Sequence, residues 1–375
     1  VTPAHTPLQE AQKFEVTPLE LFFDLVFVFA VSQLSHHLLE HLTWRGAAET
    51  LILLLAVYRT WSTTSWDAAM LGVNGPDARG LLLAVMLLGL FMNAAIPTAF
   101  SGGVWAFTLP LVVGQLGRSF WMMWRAPTAL FREHFQRTSV WMVAIAPLWM
   151  IGALVNSEAR LGWWAAAALL DLIGGWLGHP IPGRRLNTER LPFDAEHMLE
   201  RNRLFLLIAL GETVLTTGTA IAAAPMSPMT VVTGTVALAG TVALWAVLFG
   251  RTHALTLQHL ERTLDPLRMG RLATNTQVLI VVGLIALAVA NERIITHPFS
   301  PPSLALTLLL FGGPLLVRLE LALYLWLLDH RVHWGHLIAC AVLVVAGLLT
   351  LTTPVFVSLI LSGAVLVVLA LLEKP

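Results

Sequence analysis

Apolar stretches of roughly 17–25 residues follow one another along nearly the whole chain, from Pro18 to Leu372, with short polar gaps between them. That length matches a hydrocarbon layer about 30 Å thick crossed by a helix rising about 1.5 Å per residue. The charged fraction agrees: 12% of residues are Asp, Glu, Lys or Arg, against about 25% in soluble domains. The chain therefore reads as an all-α integral membrane protein.

The stretches number twelve, at about 18–42, 47–71, 80–99, 103–124, 138–156, 160–178, 199–222, 229–251, 270–291, 303–328, 334–351 and 354–372. Breakers separate them, among them Gly75-Pro76, Gly102-Gly103, Pro127, Pro180 to Gly183, Pro225 to Pro228, Pro298 to Pro302 and Pro354. Residues 1–17 are polar and lack the apolar core of a cleavable signal. If they lie in the cytoplasm, sixteen basic residues fall on that side, including Lys13, Arg184, Arg185, Arg190, Arg201, Arg203, Arg251, Arg262 and Lys374. The outer loops then hold Arg45, Arg160 and Arg293. This bias predicts an inner-membrane protein with both termini cytoplasmic. With no basic domain, nucleic acid is not an expected partner; membrane lipids and a small solute are. The lone Cys340 lies in an apolar stretch and reads as a packing residue.

The chain also reads as duplicated. Pro110 to Arg118 in the fourth stretch has a counterpart in Pro314 to Arg318 in the tenth, and each stretch continues into aromatic residues. The longest connection, 179–198, falls between the halves 18–178 and 199–372. Six crossings per half return the chain to the same side, so the repeats would be parallel, related by an axis along the membrane normal.

Two blocks carry a family resemblance. The run from Val16 to Leu34, with Glu20-Leu-Phe-Phe-Asp24 near its start, resembles the N-terminal signature of the bacterial low-temperature-requirement A family. The run from His197-Met-Leu-Glu-Arg201 to Leu210-Gly-Glu212 resembles that family's second conserved segment, with Arg203 standing where members usually carry Gly. The resemblance implies a polytopic inner-membrane protein tied by name to growth in the cold. It supplies no mechanism.

Mechanism has to come from the polar groups inside the stretches, because ionisable residues in hydrocarbon are costly and face protein or water. The acids are Glu20, Asp24, Asp171, Glu212 and Glu320; the bases are Arg59, Arg118 and Arg318. Thr17-Pro18-Leu19-Glu20 has the form of a capping box. Asp24 lies one turn deeper and is expected to meet Arg59 or Arg118. Thr63 and Asp67 continue the Arg59 face beside Trp66, which together would make a substrate or anion site. Glu212 follows Gly211 near the middle of its stretch, with Thr216 and Thr219 on the same face, and is the expected titrating group. The candidate substrate- or ion-binding residues are thus Glu20, Asp24, Arg59, Asp67, Arg118, Glu212, Thr216, Arg318 and Glu320, with protons as a coupling ion.

Thr241, Trp245, Thr252, Thr256 and His259 form a further stripe that reads as packing, and His36, His37 and His41 as an interfacial group. No metal, catalytic or cofactor motif stands out. The pattern fits a secondary transporter best. A membrane enzyme acting on a lipid or polyprenyl substrate, and a channel or structural protein, are the alternatives.

Overall fold

The computed structural model describes residues 16–72, 75–126, 128–183, 194–250, 256, 259–260 and 265–372. Lys13, Arg184, Arg185, Arg190, Arg251, Thr252, Arg262 and Lys374 lie outside the described residues. The described chain is helical: α1 Pro18–Glu40, α2 Trp44–Leu71, α3 Pro76–Ala94, α4 Val104–Arg125, α5 Ala129–Leu154, α6 Ser157–Leu177, α7 Ala195–Ala223, α8 Pro228–Leu248, α9 Pro266–Thr276, α10 Val278–Thr296, α11 Leu304–Asp329, α12 Trp334–Leu349 and α13 Val355–Leu372. Helices α9 and α10 form one broken rod, interrupted at Gln277. Eight helices, counting that rod once, are long and apolar enough to cross a membrane.

Helix starts follow local chemistry. Thr17 and Glu20 close the capping box, with the Thr17 N–H donating to Glu20 Oε2 at 2.9 Å and the Glu20 N–H donating to Thr17 Oγ1 at 3.3 Å. Thr43, Thr128, Asn156, Asp194, Ser227, Asp265 and Ser303 cap later helices in the same way. Helical hydroxyls turn back to the carbonyl one turn earlier, as Thr60 does to Ala56 and Thr64 to Thr60, so they need no external partner.

Two boundaries differ from the sequence reading. Helix α5 starts at Ala129 rather than near 138, and α7 at Ala195 rather than 199. Both first turns are polar enough to read as loop, yet they turn charged groups inward. Arg201, counted above with the cytoplasmic basic residues, is a buried helix residue, and so is Arg137. Arg160, assigned to an outer loop, is also buried, and donates to the carbonyls of Gly152 and Val155 at the end of α5 and of Phe100 before α4.

The bundle has polar groups inside and apolar side chains outside. Phe22, Leu25, Leu83, Leu87, Leu215 and Val345 are exposed, whereas Glu20, Asp24, Arg201 and Arg318 are not exposed at all. Helices α1, α2, α7 and α10 pack together at the centre. Helices α10 and α11 meet backbone to backbone at Gly283 and Gly313, where a methyl group on Gly313 would come within 2.6 Å of the Gly283 carbonyl oxygen. Trp44, Trp124 and Trp334 are exposed near helix ends, as an aromatic belt requires. Trp164 is instead a core residue among Phe100, Phe107 and Trp149.

Candidate functional site

The two signature blocks face each other across the centre. Helices α1 and α7 run parallel and in register: His197 Nε2 lies 3.0 Å from Glu20 Oε1, and Arg201 Nη2 donates to Asp24 Oδ1 at 2.8 Å. Both pairs are separated by 177 residues, so a pair of acids at i and i+4 meets a His and an Arg at i and i+4. Trp61 of α2 donates its indole N–H to Asp24 at 2.7 Å, and Arg201 also covers the Phe23 ring. The expected contact of Asp24 with Arg59 or Arg118 is therefore corrected. Asp24 lies on the α7-facing side of α1, where Arg201 reaches it first.

Arg59 and Arg118 take other partners. Arg59 Nε donates to Asp171 Oδ1 of α6 at 3.1 Å, and Gln115 Nε2 approaches the second oxygen at 3.4 Å. Arg118 of α4 is ion-paired with Asp67 of α2. Gly175 makes the first pair possible, because any methyl group there would lie 2.5 to 2.7 Å from the Arg59 guanidinium.

Arg59, Asp67 and Arg118 form one wall of a cavity of about 80 Å³. Ser62, Thr63 and Trp66 line it from α2, His134 and Thr138 from α5, and Gly178 and His179 from the end of α6. Arg271, Thr274 and Asn275 close it from α9, so the cavity sits on the seam between the two halves of the chain. Arg59 Nη2 and Arg118 Nε and Nη2 are buried without hydrogen-bond partners, and Arg271 has no carboxylate within ion-pair distance among the described residues. Three guanidiniums thus line the cavity with one carboxylate, Asp67, while Asp171 holds Arg59 from behind the wall. The turn after α6 holds His179 at φ 55°, an unusual conformation for a side chain of this kind. Burial, then the charges of Arg59, His134, Arg118 and Arg271, hold its imidazole well below the usual histidine range. A cavity with unsatisfied guanidinium N–H groups and a neutral imidazole is suited to an anion.

The remaining candidates lie elsewhere. Glu212 is half-buried on α7 against Ser32 and His36 of α1 and its own Thr216, and lines neither this cavity nor the one beside Glu320. Thr216 is buried, while Thr219 returns its hydroxyl to the Thr216 carbonyl. Arg318 is fully buried on α11. Glu320 accepts from the Thr276 hydroxyl at 2.6 Å and lines a second cavity of about 90 Å³. His37 is buried beside Glu49 at 3.4 Å rather than solvated at an interface. Thr241 is buried near Thr213, at 3.4 Å, and Trp245 is exposed. Among the described residues no group of three or more His, Cys, Asp or Glu is arranged to hold a metal ion.

His197, Arg201, Asp171, His179 and Arg271 were missed as site residues. The sequence did signal His197 and Arg201: they repeat the i, i+4 spacing of Glu20 and Asp24 with the opposite charge.

Polar groups paired inside and apolar side chains outside define a multi-pass helical membrane protein. The chain belongs to the bacterial low temperature requirement A family, whose model matches residues 15–371. It is 30% identical over 362 residues to an uncharacterized protein of Rhizobium meliloti (strain 1021), covering 94% of this chain and 88% of the relative. No solved structure matches it.

Proposed function

We propose that this protein is a secondary carrier of a small oxyanion, with twelve helical rods crossing the bacterial inner membrane and two six-helix halves rocking about the seam cavity. The observation that carries this reading is the cavity itself. It lies between the halves, three arginines face it, and guanidinium nitrogens of Arg59 and Arg118 have no partner.

The span count has separate support. Helices α2, α4 and α6 contain 28, 22 and 21 residues, or roughly 42, 33 and 32 Å at 1.5 Å per residue. They are less apolar because they carry Arg59, Asp67, Arg118 and Asp171, all turned inward. A parallel α1–α7 pair needs an odd number of crossings between its members, and α2 to α6, if each crosses, supply five. The shared register, with Thr17 and Asp194 capping equivalent starts, supports parallel repeats. The bias of basic residues toward one side supports cytoplasmic termini.

Purified protein in proteoliposomes loaded with phosphate, sulfate or succinate tests the reading. Labelled anion outside should enter by saturable counterflow for at least one of the three, and Arg118→Gln should abolish it. Uptake at the rate of protein-free vesicles for all three anions would refute it.

A further inference from the structure

The second cavity adds a function that the anion site does not supply. It is lined by Asn202 and Arg203 of α7, Phe249 after α8, Gln277 at the α9–α10 break, and Glu320 and Tyr324 of α11. Glu320 is 4% exposed. Its Oε1 accepts from Thr276, while its Oε2 is buried with no hydrogen-bond partner. No base lies within ion-pair distance among the described residues.

Among the described residues, the groups around it offer no counter-charge. Tyr58 of α2 and Tyr324 of α11 are close enough to interact with the carboxyl, but both are phenols. Arg203 shares the cavity and is held by Glu200 at 3.2 Å, with its own side chain 41% exposed. Arg318, two positions earlier on α11, makes no ion pair with Glu320. Arg271 lines the other cavity. A buried carboxylate with one donor and no cation is unstable in such a medium, and addition of one proton at Oε2 removes the charge.

Helix α9 joins the two cavities. Thr274 and Asn275 line the anion cavity, and the next residue, Thr276, holds Glu320. Thr274 is fixed from both halves, by Tyr58 donating to its carbonyl at 2.5 Å and Asn202 donating to its hydroxyl at 2.9 Å. Gln277 donates to the Asn202 carbonyl at 3.1 Å and lines the second cavity.

We infer that Glu320 is a proton-binding site, loaded at Oε2 from the second cavity, and that its proton and the anion bind cooperatively across α9. The sign follows from charge. An anion beside Arg271 disfavours a second negative charge nearby, so it favours the protonated acid, and protonation favours the anion by the same factor. The coupling rests on the carrier reading, whereas the proton site does not.

Two measurements separate them. Infrared difference spectra across a pH step should contain the C=O stretch of a titrating carboxylic acid. Glu320→Gln should delete that band, Thr276→Val should shift it without deleting it, and Glu212→Gln should leave it intact. Sulfate binding in weakly buffered detergent solution should take up protons in the parent protein and none in Glu320→Gln. A band unchanged in Glu320→Gln overturns the site. A band that responds to sodium and not to pH overturns it in favour of a metal-cation site. A normal band with no sulfate binding keeps the site and overturns the coupling.

Discussion

Breaking the contact between Asp24 and Arg201 should cost far more alone than as part of a matched double substitution. Both side chains have no exposed surface, and their bond is 2.8 Å. Arg201→Met leaves the Asp24 carboxylate with only the Trp61 indole, and Asp24→Leu leaves Arg201 with only Glu20, at 3.4 Å. Removing one member of a buried pair typically costs about 3–5 kcal/mol. The double variant removes both charges together. Glu20 keeps His197 and the Thr17 N–H, so the residual loss is the Trp61 donor, about 1–3 kcal/mol for one unmet buried group. The singles therefore sum to about 6–10 kcal/mol and the double to about 1–3, a coupling of at least about 3 kcal/mol. Reversible unfolding in mixed micelles, followed by circular dichroism, measures all four corners of the cycle. Effects that add to within about 0.5 kcal/mol would show that the two signature blocks do not form a functional pair, and the parallel register of α1 and α7 would fall with them.

Gly175→Ala should push the Arg59 guanidinium off Asp171 and weaken anion binding in calorimetry, while Gly162→Ala, where a methyl group meets nothing within 4 Å, should leave it unchanged. Arg271→Gln removes a guanidinium that has no carboxylate within ion-pair distance among the described residues, its nearest acidic influence being Asp265. It should weaken sulfate binding by about 10–150-fold, equivalent to about 1.5–3 kcal/mol for one charge-assisted hydrogen bond, with little change in melting temperature. His179 has a folded-state pKa well below that of the unfolded chain, so below about pH 6.5 the unfolded state binds a proton that the native state refuses. Native stability should accordingly decline as pH falls from about 6.5, and His179→Gln should flatten that part of the profile; identical slopes in the two proteins would remove His179 from the cavity's electrostatics.

Much of this architecture was legible because a membrane constrains sequence strongly. Apolar length located the rods, and Thr17-Pro18-Leu19-Glu20 announced its capping box. Arg59, Thr63 and Asp67 were readable as one face because helical spacing is local. Partner choice was not local. Asp24 pairs with Arg201 because α7 lies beside α1, and Arg59 pairs with Asp171 because Gly175 lets α6 come close. Arg271 was hidden for another reason: it stands at the polar edge of the stretch 270–291, where it counts as a cytoplasmic base rather than as part of a cavity wall. His197 fell outside a boundary drawn four residues late, and Arg201, just inside it, counted as a cytoplasmic base although the helix buries it.

Alternating access to the seam cavity is the central claim, and single-cysteine labelling tests it most directly. Cys340 is the chain's one cysteine, so Cys340→Ser gives a clean background for Thr63→Cys on the cavity wall. In sided proteoliposomes a membrane-impermeant thiol reagent should reach residue 63 from the face where α1 begins when no anion is present. An opposing gradient of transported anion should open a second route from the other face, and saturating anion should protect the site. Labelling from one face alone under every gradient would contradict the carrier and leave a static pocket.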